Sequence, residues 1–232
     1  MPEVRIHIDI HEALDILVSV LAIALALTFS SSGLSISSED FISLMIAYTL
    51  TIGAGFVLHE LAHKFVANKY GCAAAFQAWP AGLVFMLGLA IIPQLLNWGS
   101  FGLFIAPGAV YIMARRIDVR QNGIISIAGP LTNIALAFLF FAIFLFFPAN
   151  DTAQTIGSLG AYANLFLAFF NLLPLYPLDG SKVIAWSMPA WLAASGVSFF
   201  SLLLLGFPII GLLDLLIIAF IFSILFRSMR MF

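Results

Sequence analysis

Long apolar runs separated by short polar breaks dominate the chain. A bilayer core of about 30 Å needs roughly 20 apolar residues in a helix. Six stretches fit that pattern: 14–30, 42–66, 123–147, 157–176, 190–206 and 208–226. The breaks carry turn chemistry, with "SSGLSISSED" at 31–40, "PAND" at 148–151 and "GFP" at 206–208. Basic residues set the orientation, because Lys and Arg gather on the cytoplasmic side. Lys64 and Lys69 follow the second run, and Arg115, Arg116 and Arg120 precede the third. Lys182 follows the fourth, and Arg227 and Arg230 follow the last. Six crossings put all of these on one face with Arg5, which predicts cytoplasmic termini.

Residues 71–112 do not fit that alternation. The apolar stretch "AGLVFMLGLAIIPQLL" (81–96) is long enough to cross, yet Lys69 and Arg115 would then fall on opposite sides. Keeping both inside predicts a re-entrant helix or hairpin, with "FGLFIAPGAVYI" (101–112) partly extended; two crossings, giving eight in total, is the rival. Irregular backbone at this depth is tolerated only where protein buries it or it lines a cavity. The predicted fold is therefore an all-α polytopic membrane protein. It has six transmembrane helices and a short re-entrant or β-hairpin element between the second and third. The whole of 1–232 reads as one membrane-embedded domain with its core at 41–180.

Composition agrees. Of 232 residues, 63% are hydrophobic and 9% charged, where a soluble domain carries about a quarter charged residues. No basic run suggests nucleic acid, and the single Cys72 excludes an intramolecular disulfide framework. Residues 1–15 are polar and of mixed charge, so they do not read as a cleavable signal peptide.

Against this apolar background "FVLHELAHKF" (56–65) stands out. His59-Glu60-Leu61-Ala62-His63 is H-E-x-x-H, and on a helix positions i and i+4 share a face, so both imidazoles can bind one zinc ion. Glu60 points to the side of that pair, where it can take a proton from water activated at the metal. Three ionisable groups in a transmembrane helix are costly unless paired or metal-bound. The bland alternative is a pair of histidines lining a polar contact between helices. A catalytic zinc needs a third protein ligand. Cys72 is a poor candidate. Asp179 is a better one, in "NLLPLYPLDG" (171–180) at the cytoplasmic end of the fourth run. Pro174 and Pro177 break the helix there, and Gly180 lets the chain turn after the aspartate. A plain helix-terminus turn facing the cytosol is the competing reading.

H-E-x-x-H followed more than a hundred residues later by N-x-x-P-x-x-P-L-D-G resembles the site-2 protease family of intramembrane zinc metalloproteases, peptidase family M50. "AGPLTN" (128–133) is a third element of the likeness, which covers roughly 41–180. The resemblance implies His59, His63 and Asp179 as ligands of one catalytic Zn²⁺ and Glu60 as general base. It also implies that Asn171 stabilises the oxyanion or bound substrate, and that the substrate is a transmembrane segment of another protein. Asn133 is read as bridging helices near the site and as a further candidate for contact with substrate; Asn164 is read only as a packing contact. Two departures stand out: the apolar insertion "FMLGLAIIPQLL", and no room in 232 residues for PDZ or CBS modules.

Other polar residues are weaker candidates. Asp214 faces the bundle interior or the outer interface, or serves as a helper ligand or proton relay. His7 and His11, with Asp9 and Glu12, form either a second site or a solvated first turn. Gly53 and Gly55 read as packing aids between helices. A zinc-binding membrane transporter or sensor is the alternative function, and it would favour His and acidic residues spread along a pore. An inactive scaffold is opposed by the intact Glu60. Prenyl-protein (CaaX) metalloproteases normally complete such a site with Glu rather than Asp. Substrate identity and oligomeric state are not written in the sequence.

Overall fold

The computed structural model describes residues 8–96, 108–113, 117–206, 216–217, 220 and 223–224. Most of the predicted last span, together with Asp214, His7, Arg115, Arg116 and the terminal arginines, lies outside the described residues.

The first helix, α1 (Ile10–Ser32), starts where the Asp9 carboxylate accepts from the Glu12 N–H at 2.8 Å. It ends at Gly33, whose φ of +74° suits glycine and whose N–H returns to the Phe29 carbonyl. Helix α2 (Ser38–Tyr48), capped by Ser37, runs through a π-helical turn at Thr49–Gly53 into α3 (Ala54–Lys69). After Gly71, strand β1 (Ala73–Ala78) leads to α4 (Pro80–Leu95), which starts on its proline. Strand β2 (Gly108–Met113) then pairs antiparallel with β1, from Ala73↔Met113 to Ala78↔Gly108. Helix α5 (Val119–Phe146) opens with a reciprocal capping box between Asp118 and Gln121. Helices α6 (Asp151–Asn171), α7 (Asp179–Trp186) and α8 (Met188–Leu204) complete the described fold.

Three of these elements are long and apolar enough to cross a bilayer: Ile10–Ser32, Ser38–Lys69 and Val119–Phe146. Large apolar side chains face outward along them, among them Leu17 and Leu21 on α1 and Phe138, Leu139 and Phe146 on α5. Such a belt exceeds what a soluble monomer exposes, and the protein is an integral membrane protein. Helix α6 is as long as a span but carries Asp151, Thr152, Gln154, Thr155 and Ser158 along its first half; α8 is shorter.

The 71–112 stretch departs most from the pattern that the sequence predicts. Of the segment 101–112 expected to be extended, 101–107 lies outside the described residues and 108–113 is a strand; its partner, 73–78, carries no strand signal in the sequence. "AAAFQA" lacks the β-branched residues that signal a strand, and only pairing with β2 makes it one.

Helix α3 lies at the centre. Phe56 packs edge-on against Phe76 of β1, with ring centroids 5.5 Å apart, in a core that includes Ile23, Ile52 and Met86. Glycines set the closest approaches of the bundle. A Cβ on Gly157 would lie 2.6 Å from the Phe144 backbone N, so α5 and α6 touch without an intervening side chain. Val at 157 must push these helices apart, and overpacking of this kind costs about 1–3 kcal/mol. Gly157→Val is therefore expected to lower the midpoint of thermal unfolding in detergent. An unchanged midpoint would show that this contact is not tight.

Candidate metal and catalytic centre

His59 and His63 stand on the inner face of α3, one turn apart and buried. Their Nε2 atoms are 3.0 Å from each other. Asp179 Oδ2 lies 3.4 Å from His59 Nε2 and 3.0 Å from His63 Nε2. Among the described residues this is the group of His, Cys, Asp and Glu that could hold a metal ion.

The hydrogen bonds behind the rings fix which atoms face inward. His63 Nδ1 is 2.8 Å from the Ile125 carbonyl, which can only accept. His59 Nδ1 is 2.5 Å from Asn133 Oδ1. The Asn133 amide points that way because its Nδ2 donates to the Gly55 carbonyl and to Asn164 Oδ1, at 3.1 and 2.9 Å. Both Nδ1 atoms therefore donate, leaving both Nε2 lone pairs bare beside a carboxylate oxygen. With neutral imidazoles three electron-pair donors converge here, and they repel one another unless a cation, a proton or a metal ion, sits among them. Tetrahedral zinc with bonds of about 2.0–2.2 Å separates neighbouring ligand atoms by about 3.3 Å, so the observed spacing fits one ion.

Asp179 is delivered from a different direction. Helix α6 stops at Asn171, and the Pro174/Pro177 segment carries the chain to α7, whose first residue is Asp179. Burial alone would raise its carboxyl. The facing His63, when its ring carries a second proton, and Lys182 outweigh that and hold it well below the usual carboxylate range. Oδ1 meets Lys182 Nζ at 3.4 Å, leaving Oδ2 for the histidines. The turn predicted at Gly180 is absent, because α7 continues through it. Glycine is needed there for close approach: a Cβ would lie 2.5 Å from the Leu173 carbonyl oxygen.

Glu60 is buried beside the pair, with His59 and Asp179 nearby, and faces the backbone N–H of Val110 on β2. Asn171 sits at the end of α6 with its Nδ2 donating to the Leu167 carbonyl at 3.0 Å. Asn133 is fully buried, and its amide is engaged by His59, Gly55 and Asn164. Cys72 is buried among Ala67, Ala74 and Ile125 as an apolar filler.

Several contributors were not legible beforehand. Asn164, read as packing alone, donates to the Gly160 carbonyl at 2.9 Å and to the Thr51 carbonyl at 3.5 Å, inside the π-helical turn. Such turns recur at functional sites because they displace backbone carbonyls from the regular ladder. Gly129 keeps the space beside the ligands open, since a Cβ there would lie 2.5 Å from both Nε2 atoms. Its place in "AGPLTN" was the available signal. Lys182 was detectable by its i+3 spacing from Asp179. The Ile125 carbonyl had no sequence signal at all.

Comparison with known proteins agrees with this chemistry. Residues 47–158 match peptidase family M50. "Putative zinc metalloprotease MJ0611" of Methanocaldococcus jannaschii is 40% identical over 200 residues, covering 86% of this chain and 91% of the relative. "Putative zinc metalloprotease YwhC" of Bacillus subtilis is 31% identical over 64% of this chain and 72% of the relative. "Zinc metalloprotease MJ0392" of M. jannaschii is 26% identical over 66% of this chain and 37% of that longer protein. No solved structure matches.

Two variants check the geometry. Gly129→Val should drive a side chain into the space between the imidazoles and abolish stoichiometric zinc, read by metal analysis of the purified protein. Asn133→Leu removes the partner of His59 Nδ1, and loss of such a partner typically weakens metal binding by about 10–100-fold. A chelator competition giving wild-type affinity for Asn133→Leu would exclude its orienting role.

Proposed function

Because this chain belongs to peptidase family M50 and is a zinc metalloprotease, we propose that it hydrolyses peptide bonds in or near transmembrane segments of membrane-protein substrates. The observation that carries this reading is the convergence of His59 Nε2, His63 Nε2 and Asp179 Oδ2 against a helix long enough to span the membrane. We assign those three residues as the zinc ligands and Glu60 as the general base. The single cluster among the described residues gives no support to a transport path, which would need ligands spread along a pore.

Zinc, when bound, supplies Lewis acidity that makes water more acidic and polarises a carbonyl. Glu60 takes the proton from the attacking water and later returns it to the leaving amine. Its position beside the His pair, rather than in line with it, leaves the carboxylate free of the metal. Asn171 is assigned to the developing oxyanion, where a donor of this type is worth roughly 3–4 kcal/mol of barrier; for this its amide must release the Leu167 carbonyl and turn. Asn133, read from the sequence as a helix bridge and a candidate substrate contact, is assigned to orienting His59 through its side-chain oxygen. The substrate must present extended backbone, because a closed helix engages its own carbonyls.

The topology we favour has six crossings, with α4 as a re-entrant helix. Support comes from the sheet: Ala73 and Met113 are paired, so the chain returns to where it left. With the basic residues on one side, the termini and the opening of the site face the cytosol. Residues 1–232 form one catalytic domain with its core at 41–180.

Glu60→Gln tests the base. The variant should retain stoichiometric zinc while cleavage of a synthetic transmembrane segment with a central Asn-Pro break falls by at least about 100-fold, the lower range for general-base catalysis. Wild-type cleavage by the variant would remove Glu60 from that role.

A further inference from the structure

A second buried ionic cluster lies outside the metal centre. Lys64, the residue after His63, pairs with Glu12 of α1 through Nζ and Oε2 at 2.5 Å, and both side chains are almost wholly buried. The second carboxylate oxygen of Glu12 accepts from the Phe76 N–H at 3.0 Å. One turn further along α1, Asp15 Oδ2 accepts from the Ala78 N–H, also at 3.0 Å. Alternate N–H groups of a strand point to opposite edges. The edge of β1 turned away from β2 is thus held by two carboxylates at i and i+3 of one helix.

These contacts close a circuit. Phe76 is the register partner of Val110, and the Val110 N–H faces Glu60. Phe76 also packs on Phe56, one turn before Glu60. From α3 the path runs through Lys64, Glu12, Phe76 and Val110 and returns to α3. A buried ion pair generally stabilises a fold little, since desolvation offsets the attraction. Its retention here is accounted for by a geometric task.

We propose that Glu12 is a positioning residue, which fixes the β1–β2 pair over α3 so that the Val110 backbone is held against Glu60. Lys64 holds the Glu12 carboxylate in place, and Asp15 secures the neighbouring N–H. Glu12 touches neither substrate nor metal. This role in the reaction rests on the protease reading; the holding of the strand does not.

Two double variants separate positioning from charge burial. Glu12→Gln with Lys64→Met removes both charges but keeps an oxygen for the Phe76 N–H. Glu12→Leu with Lys64→Met removes both charges and the acceptor. Hydrogen–deuterium exchange of the 73–78 segment, followed by mass spectrometry on the full chain in detergent, is measured beside zinc content and cleavage of the Asn-Pro transmembrane segment. The Leu/Met variant should exchange about tenfold faster and lose about tenfold in kcat with zinc unchanged. The Gln/Met variant should stay close to wild type in all three.

Equal exchange in the two variants overturns the proposal, as does faster exchange with unchanged kcat, or zinc lost together with kcat. Should the Leu/Met variant not fold, Asp15→Leu carries the test at a half-buried position: unaltered exchange at 73–78 overturns the role of these carboxylates. If the wild type does not cleave the probe, the protease reading fails, while the exchange comparison still decides whether Glu12 holds the strand.

Discussion

Three lone pairs facing one another in an apolar interior form the constraint around which this protein is arranged. His59 and His63 cannot turn their protonated nitrogens inward, because the Ile125 carbonyl and the Asn133 oxygen already hold both Nδ1 atoms. Asp179 adds a negative charge to the same small volume. The arrangement is unfavourable without a cation and favourable with one, so the site is built for a metal before any reaction is considered. Its cost is borne by the surroundings: an amide chain through Asn133 and Asn164, a helix end broken to deliver the carboxylate, and a glycine where a side chain would collide.

The α2–α3 helix meets this constraint by giving up regularity just before the histidines. The π-helical turn at Thr49–Gly53 exposes the Thr51 carbonyl to Asn164, and Gly55 lets that side chain approach while its carbonyl receives Asn133. Amides from α5 and α6 are thereby tied to the same turn, and His59 is oriented by a chain anchored in its own helix. On the opposite flank, Lys64 ties the end of that helix to α1 and through it to β1. Buried polar groups in a membrane protein need partners, and here the partners also aim the groups that do chemistry.

Much of the site was legible because its local chemistry is rare in apolar sequence. H-E-x-x-H dictates its own geometry once helical, since 3.6 residues per turn put both imidazoles on one face. The Pro-Leu-Asp-Gly segment signalled a broken helix end near the same predicted membrane side. The existence of α1, α5 and α8 followed from apolar length, but each starts two to four residues before its apolar run, at caps supplied by Asp9, Asp118 and Ser187. Less was readable at 71–113. Six residues of "AAAFQA" have no β signature, and only the distant partner 108–113 and the carboxylates of α1 satisfy their backbone groups.

By itself, the sequence determined the membrane class and the helical content, and it pointed to two histidines, a glutamate and an aspartate as candidates for one site. Each of these depends on residue type and on spacing within one element. Only the tertiary structure decided that Asp179 meets both histidines, that Asn133 orients His59, and that Glu12 reaches β1. Those outcomes depend on which helices pack together and how closely. Here that packing is set by the glycines at 129, 157 and 180 and by backbone carbonyls, which every residue carries and no motif marks.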